Sequence, residues 1–406
     1  MHKLSINREK DFTEKKMPWG TLVGVRPSKI AYKLLKEGFT RDAIISYYKE
    51  NYLTFKSKAA LCYDVAVKEK KLISKIQNKN SYSVYIGMPF CPSRCYYCSF
   101  ASNDINKNSS FVEPYIDTLL LEIDEIYRYI GYKSQTVYFG GGTPTSIDEK
   151  QFERVMKKIY ECFIKDRANL EFTVECGRAD SITKEKLEIM LFYGVSRISI
   201  NPQSMNDDTL RKIGRTHNSQ DVIDKYNLAS KLGFKNINMD LIIGLKDENS
   251  YHVQRTCDAI YSLKPKSLTI HGLSVKRSSK LHEDIILGKE SLNFHNEILN
   301  MYEITEGLVN RLNLKPYYLY RQKNMVEAME NVGYSEEGFE SLYNILIMEE
   351  VQNILAFGCD GVSKFIYDGG KIERQKNIKD LREYIKNIHK LIEDKKKYLD
   401  RLKSEL

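Results

Sequence analysis

Six short β-rich runs, each followed by a polar loop and a longer helical pattern, constrain the fold more than any other feature of this sequence. They are "SVYIGM" (83–88), "TVYFGG" (136–141), "EFTVEC" (171–176), "RISINP" (197–202), "NINMDLI" (236–242) and "SLTIHGL" (267–273). Between them lie segments with apolar residues at helical spacing, such as "FVEPYIDTLLLEIDEIYRYI", "DEKQFERVMKKIYECFI" and "SQDVIDKYNLASKL". Strands joined by helical crossovers build a parallel sheet with helices over its outer face. An open doubly wound sheet is the alternative. The unusual residues, however, all fall where strands end, the place where barrels collect their sites. The expected fold is therefore α/β, a curved or partial barrel over residues 81–275. Residues 1–80 read as a helical accessory region, carried by "PSKIAYKLLKEGF", "RDAIISYYKENY" and "KAALCYDVAVKEKKLISKIQ". Residues 276–406 lose the rhythm: a helix "FHNEILNMYEITEGLVNRL", a strand "PYYLY", a helix around 341–355 and a basic tail form a C-terminal α/β extension.

A chain of 406 residues with 42% hydrophobic content can bury a core around a cofactor. Its opening "MHKLSINREKDFTEKK" is charged where a signal peptide carries an apolar stretch, and no apolar run is long enough to cross a bilayer. The expected compartment is the cytoplasm. A net charge of +9 suits an anionic ligand or a nucleic acid without separating the two. Part of it lies in residues 371–406, with 12 Lys and Arg against 7 Asp and Glu. That tail reads as a solvated amphipathic helix with Leu381, Ile385, Ile388 and Ile392 on its apolar side. No recognisable RNA-binding module accompanies the charge.

Three of the eight cysteines, Cys91, Cys95 and Cys98, crowd into "MPFCPSRCYYCSF" (88–100). A disulfide framework belongs to small secreted chains, and a tetrahedral zinc site lacks its second ligand pair here. The remaining cysteines, Cys62, Cys162, Cys176, Cys257 and Cys359, are scattered as packing residues. Three thiolates on one loop can instead hold three irons of a 4Fe–4S cluster, leaving the fourth iron open for a small ligand. A second stretch, "YFGGGTPT" (138–145), ends a strand in consecutive glycines that let a ligand approach bare backbone. The same stretch reads as a strand-to-helix turn with Thr145 or Ser146 as N-cap.

The CxxxCxxC spacing with Tyr97 before the third cysteine resembles the signature of the radical S-adenosylmethionine (SAM) enzymes. "YIGMPFCPSRCYYCSF", "YFGGGTPT", "FTVECGRAD", "GVSRISINPQSMNDDTLRKIGRTHN" and "NMDLIIGL" together resemble the oxygen-independent coproporphyrinogen III oxidase (HemN-like) family over residues 80–275. The flanks "PWGTLVGVRPSKI", "PYYLYRQKNM", "ENVGY", "IMEEVQNILAFG" and "GVSKF" are similar to its coproporphyrinogen dehydrogenase HemZ group. The resemblance implies a partial (β/α)6 TIM-like radical SAM barrel whose 4Fe–4S cluster is held by Cys91, Cys95 and Cys98. It also implies a SAM site made by Tyr85, Tyr97, Gly141, Gly142, Thr143, Glu175, Gln203, Arg215 and Asp240. In that superfamily the open iron chelates the amino and carboxylate groups of SAM, and one electron yields a 5′-deoxyadenosyl radical. An external electron donor such as a flavodoxin or ferredoxin is implied too.

The implied substrate is an anionic tetrapyrrole, coproporphyrinogen III, two of whose propionates become vinyls in heme biosynthesis. Lys276, Arg277, Arg321 and Lys323 are the candidate propionate grips, with Tyr317, Tyr318 and Tyr320 as hydrogen-bonding or stacking partners. One position departs from the oxidases: their CxxCxC carries a further cysteine where this chain has Cys98, Ser99, Phe100. Heme-chaperone relatives share CxxCxF. A heme-binding chaperone, with His271 as a possible ligand, therefore stays open, as does a heme-opening or methylating radical enzyme. A tRNA-modifying enzyme is the remaining alternative.

Overall fold

The computed structural model describes residues 17–74, 76, 81–99, 103–130, 133–165, 167, 170–289, 295–322, 325 and 329–404. Phe100 and Lys323 lie outside them. The six expected strands are present as β1 (Tyr82–Met88), β2 (Ser134–Gly141), β3 (Glu171–Glu175), β4 (Arg197–Ser199), β5 (Ile237–Ile243) and β6 (Ser267–Gly272). All neighbours in this series pair parallel, in the order β1-β2-β3-β4-β5-β6.

That order decides between the two expected architectures. Strands that advance in one direction through right-handed crossovers place every helix on the same face, whereas a doubly wound sheet must reverse direction once. The helices α4 (Val112–Tyr129), α5 (Glu149–Ile159), α6 (Lys184–Phe192), α8 (Ser219–Leu232), α9 (Ser250–Leu263) and α11 (His295–Arg311) indeed pack each on the next in a single row. A short α7 (Asp207–Lys212) interrupts the loop after β4, and a short α10 (Lys280–Ile286) follows β6. On the other face, Tyr138 of β2, Glu175 of β3, Ser199 of β4, Asp240 of β5 and His271 of β6 converge on one cavity. The sheet is rolled around that cavity as a partial barrel.

Side-chain parity explains how one strand serves both faces. Val137 and Phe139 join the apolar core while Tyr138 lines the cavity; Ile198 and Ile200 join the core while Arg197, Ser199 and Asn201 line it; Met239 and Leu241 join the core while Asn238 and Asp240 line it.

The C-terminal region extends the sheet at both ends. β7 (Lys315–Tyr320) and β8 (Asn331–Ser335) pair antiparallel, with β8 against β6. A seventh parallel strand, β9 (Asn353–Phe357), joins the other side of β1, followed by antiparallel β10 (Val362–Ile366) and β11 (Ile372–Lys376). The helix expected around 341–355 is therefore only α12 (Leu342–Glu349); Glu350 is left-handed and ends it before β9. Its first turn sits against the inner face, where Glu171 accepts from the Leu342 and Tyr343 amides and from Ser341 Oγ. Tyr343 stacks on Tyr138 at 4.5 Å and on Tyr85 at 6.4 Å. The cavity is thus floored by an internal helix. The basic tail is not one helix either, since β11 precedes α13 (Leu381–Lys386) and α14 (Ile388–Ser404).

The N-terminal stretch holds α1 (Ser28–Lys36), α2 (Arg41–Tyr52) and α3 (Lys56–Ile73), with α3 packed on β7. Trp19 Nε1 and Lys58 Nζ both donate to Glu330, each at 2.7 Å. Among the described residues no helix is long and apolar enough to cross a membrane.

One buried hub ties α14 to the barrel. Glu122 of α4 accepts from Gly358 N, Asn377 Nδ2, Tyr384 Oη and Lys395 Nζ, the last at 2.5 Å, with both charged side chains 0% exposed. Removing one partner strands the other charge. Lys395→Met is expected to cost about 3–5 kcal/mol, read as a fall in the urea unfolding midpoint. Lys397→Met, at an exposed pair with Asp394, is expected to change stability by less than about 0.5 kcal/mol.

Candidate active site

The cysteine loop crosses the C-terminal ends of the strands. Phe90–Cys91 pairs with Asn103–Asp104, and the turn between is held at several backbone points: Tyr96 N donates to Ile213 O, Leu281 N to Tyr96 O, and Ser93 Oγ to Gly214 O. Tyr96 and Tyr97 pack on an apolar cluster of Leu210, Ile213, Ile242, Leu245, Leu273 and Leu281. This anchoring leaves all three thiols lining a cavity of about 370 Å³, whereas the other five cysteines are buried. Burial pushes the Cys91 thiol up to about 12, opposed by its contact with Thr143 Oγ1 at 3.3 Å. Assembly of a thiolate-bound metal group here must therefore release protons.

The glycine run positions that loop. Gly142 N donates to Met88 O at 2.6 Å and Thr143 N to Phe90 O at 2.8 Å. A Cβ on Gly142 would lie 2.6 Å from Phe90 O and 3.1 Å from Cys91 Sγ, and Gly141 has φ +102°. Only glycine lets the end of β2 lie flat against the backbone carrying the cysteines. The helix N-cap expected at Thr145 or Ser146 is Asp148 instead, because a 3₁₀ turn over Pro144–Ser146 intervenes. Thr145 bonds Ser181 Oγ.

The SAM-site candidates mostly assemble around the same cavity. Glu175 accepts from Tyr138 Oη, and burial pushes its carboxyl up to about 7. Arg215, buried, donates to Gly177 O, Asn201 O and Tyr97 Oη, so it joins two strand ends to the cysteine loop. Gln203 sits at φ +66°, uncommon for a non-glycine residue and a form of local strain often found at functional sites. Burial alone would raise Asp240, but His271 Nε2 at 3.7 Å, together with Asn238 and Thr269, holds it below the ordinary value. His271 Nδ1 meets Tyr320 Oη at 3.3 Å. Glu175 and Asp240 cap no helix; Thr183 and Asn249 fill those positions. Tyr85 lies beside the cavity without lining it, stacked at 6.3 Å on Tyr138.

The substrate candidates divide. Lys276, Tyr318 and Tyr320 line the cavity; burial lowers the Lys276 ammonium, partly offset by Cys98. Arg277 is exposed away from it, and Tyr317 is buried behind it. Arg321 points to the N-terminal segment, donating to Leu22 O at 2.7 Å and lying over the Trp19 ring.

Two arginines escaped the sequence reading. Arg178 Nη1 reaches Ser93 Oγ at 3.0 Å and Cys95 Sγ at 3.8 Å, while its other nitrogens and Thr216 and His217 grip Asp180. Burial would raise Asp180, yet these donors hold it well below the usual carboxylate range. Arg197 lines the cavity from an inward position of β4. A charged residue at an inward position of a short strand was the available signal for it.

The residues fit a cluster and SAM on their own geometry. Among the described residues no three ligands converge on a single-ion point. Thiols spread around a cavity wall suit a cluster, in which each thiolate holds a different iron. The buried Ser199 Oγ, Asn201 Oδ1 and Gln203 Oε1 have no hydrogen-bond partner among the described residues, which a polar ligand in this cavity would supply.

An acid raised by burial loses stability as pH climbs. Below about pH 4.3, the unperturbed Glu value, both states are mostly protonated; between there and about 7 the unfolded chain ionises first; above 7 the full penalty of about 4 kcal/mol is in place. Cofactor-free protein is therefore expected to lose stability between pH 5 and 8 relative to Glu175→Gln. Urea unfolding of both at pH 5, 6.5 and 8 checks it, and parallel profiles would refute it.

The sequence profile of the radical SAM superfamily matches residues 85–260. The chain is 39% identical over 393 residues to the oxygen-independent coproporphyrinogen-III oxidase-like protein HemZ of Bacillus subtilis, across 95% of this chain and 77% of that protein. It is 30% identical over 304 residues to the heme chaperone HemW of the same organism, across 75% of each. Among solved structures, coproporphyrinogen III oxidase (HemN) from Escherichia coli, a radical SAM enzyme, matches with TM-score 0.60 at 19% identity, over 79% of this chain and 72% of that one, a likeness of fold. The superfamily uses a 4Fe–4S cluster and SAM. With that cysteine loop and this extent of identity, the chain belongs to the radical SAM superfamily, in the oxygen-independent coproporphyrinogen-III oxidase-like family that includes HemZ.

Proposed function

We propose that this chain converts propionate side chains of coproporphyrinogen III to vinyls by oxygen-independent oxidative decarboxylation, in heme biosynthesis. The single observation that carries the reading is the cavity itself: three loop thiols at its rim and a wall of unsatisfied polar atoms from Ser199, Asn201 and Gln203 below them. The relative HemZ, named for oxidase-like character, supports the substrate class.

Cys91, Cys95 and Cys98 would hold the cluster, and Gly141, Gly142, Thr143, Glu175, Gln203, Arg215 and Asp240 would surround SAM. With both bound, the chemistry supplied is reductive cleavage to a 5′-deoxyadenosyl radical, one electron coming from an external donor such as a flavodoxin or ferredoxin. The rest falls to the chain. Arg215 ties Tyr97 to the ends of β3 and β4, which would hold the cysteine loop in place beside bound SAM. Lys276, desolvated and facing the cavity, offers a cation to a propionate. Each propionate loses one hydrogen atom from its β-carbon, CO₂ and one electron, the last passing to an external one-electron acceptor, to leave a vinyl. Excluding water during this step is the work of the rolled sheet and the floor helix α12.

One observation favours a second reading, heme binding without turnover: Phe100 replaces the extra cysteine, and HemW chaperones are among the relatives. Against it, His271 is already engaged by Tyr320 and Asp240.

The deciding experiment incubates anaerobically reconstituted protein with SAM, a strong reductant and coproporphyrinogen III, reading 5′-deoxyadenosine and tetrapyrrole masses together. Two successive losses of CO₂ with two hydrogens are expected. SAM cleavage with unchanged tetrapyrrole would sink the reading. Cys95→Ala is expected to lose both the cluster's broad visible absorption and all SAM cleavage.

A further inference from the structure

The floor of the cavity holds a positive charge that the SAM site does not use. Arg197 occupies an inward position of β4, lines the cavity and is 2% exposed. Its Nε and Nη2 are buried with no hydrogen-bond partner among the described residues. In the sheet register it stands level with Thr173 and four residues below Asn201, about 13 Å along the strand from the level at which Arg215 reaches the cysteine loop.

Its surroundings favour the charge but give those two nitrogens no hydrogen bond. Tyr317, Tyr138, Glu171 and Tyr318 act on it electrostatically, and burial keeps the three phenols above their ordinary value, hence uncharged. Glu171 is the nearest carboxylate, but it accepts from Ser341 Oγ and the Tyr343 and Leu342 amides at the start of α12 and makes no ion pair with Arg197. Glu175 accepts from Tyr138. A buried guanidinium left without hydrogen bonds is costly, and an anion that supplied them would gain strongly in this water-poor setting.

We infer that Arg197 anchors a carboxylate subsite at the cavity floor, taking one acidic arm of the substrate between aromatic walls. This rests on the reading that the substrate carries propionates. SAM has a single carboxylate, which that reading commits to the cluster at the opposite end. Arg197 is thus left for the second molecule.

The test measures binding of coproporphyrin III, a stable tetracarboxylate, and of its tetramethyl ester to cluster-reconstituted protein by porphyrin fluorescence, with SAM affinity by equilibrium dialysis alongside. Arg197→Gln is expected to weaken coproporphyrin binding at least about 10-fold while leaving SAM and the ester unchanged. Arg197→Lys, which keeps the charge but loses the fork, should fall between and serves where the Gln variant does not fold. Arg128→Gln, on the exposed outside of α4, should match wild type. Equal coproporphyrin affinity in wild type and both Arg197 variants would overturn the subsite alone. A fall in SAM affinity with coproporphyrin unaffected would assign the anion to SAM and also overturn it. Wild-type protein that binds no coproporphyrin would remove the tetrapyrrole reading and the subsite with it.

Discussion

The structure depends on how the end of β1 is clamped between its two neighbours. On one side the glycines of β2 accept no side chain between themselves and Met88–Phe90, and two short backbone hydrogen bonds lock the contact. On the other, β9 runs parallel to β1, and Gly358 just beyond it approaches so closely that a Cβ would lie 2.6 Å from Gly87 O. Tyr115 seals the junction by donating to Gly87 O. The cysteines begin three residues past β1, so their placement relative to Glu175 and Gln203 is inherited from this clamp. Loosening either side would move the thiols relative to the strand ends, not merely soften a loop.

Much of this was legible in the sequence because the signals were local. Alternating strands, the cysteine spacing and the glycine run each depend on residues within a dozen positions of one another. β9 was hidden for the opposite reason. The run around 341–355 reads as one helix, and only pairing with β1, some 270 residues away, splits it into helix and strand. Arg321 was misplaced by ignoring parity: Tyr318 and Tyr320 point inward on β7, which sends the next residue outward to Leu22 and Trp19. Arg197 and Arg178 were passed over because their local signal is slight, no more than a charge at an inward strand position for Arg197; their meaning lies in what the rolled sheet sets opposite them.

The inner face also accounts for how one cavity can separate chemical tasks. Acidic groups of differing character stand on β3, on β5 and in the turn after β3: Glu175 is raised by burial, Asp240 is held down by His271, and Asp180 is held down by donors gathered under the cysteine loop. The cations divide likewise, with Arg215 spent on backbone and Tyr97, Arg178 on the loop, and Lys276 and Arg197 lining the cavity. Most of the polar groups here are therefore structural supports, and few remain to touch a ligand. The relation to both oxidase-like and chaperone proteins follows naturally, since the supports can persist while the few contacting groups change.

The parallel pairing of β9 with β1 has a consequence for how the protein is made. Tyr82 faces Asn353 in that register, and Trp19 meets Glu330 across 311 residues. Contacts of such long range close slowly, since a large loop must be ordered before they return any energy. While the chain is still being synthesised, the segment bearing the three thiols has its own strand but lacks one of the two walls that shape it. The wall formed by β9 is therefore missing until translation has passed residue 357, and the loop takes its final setting only then.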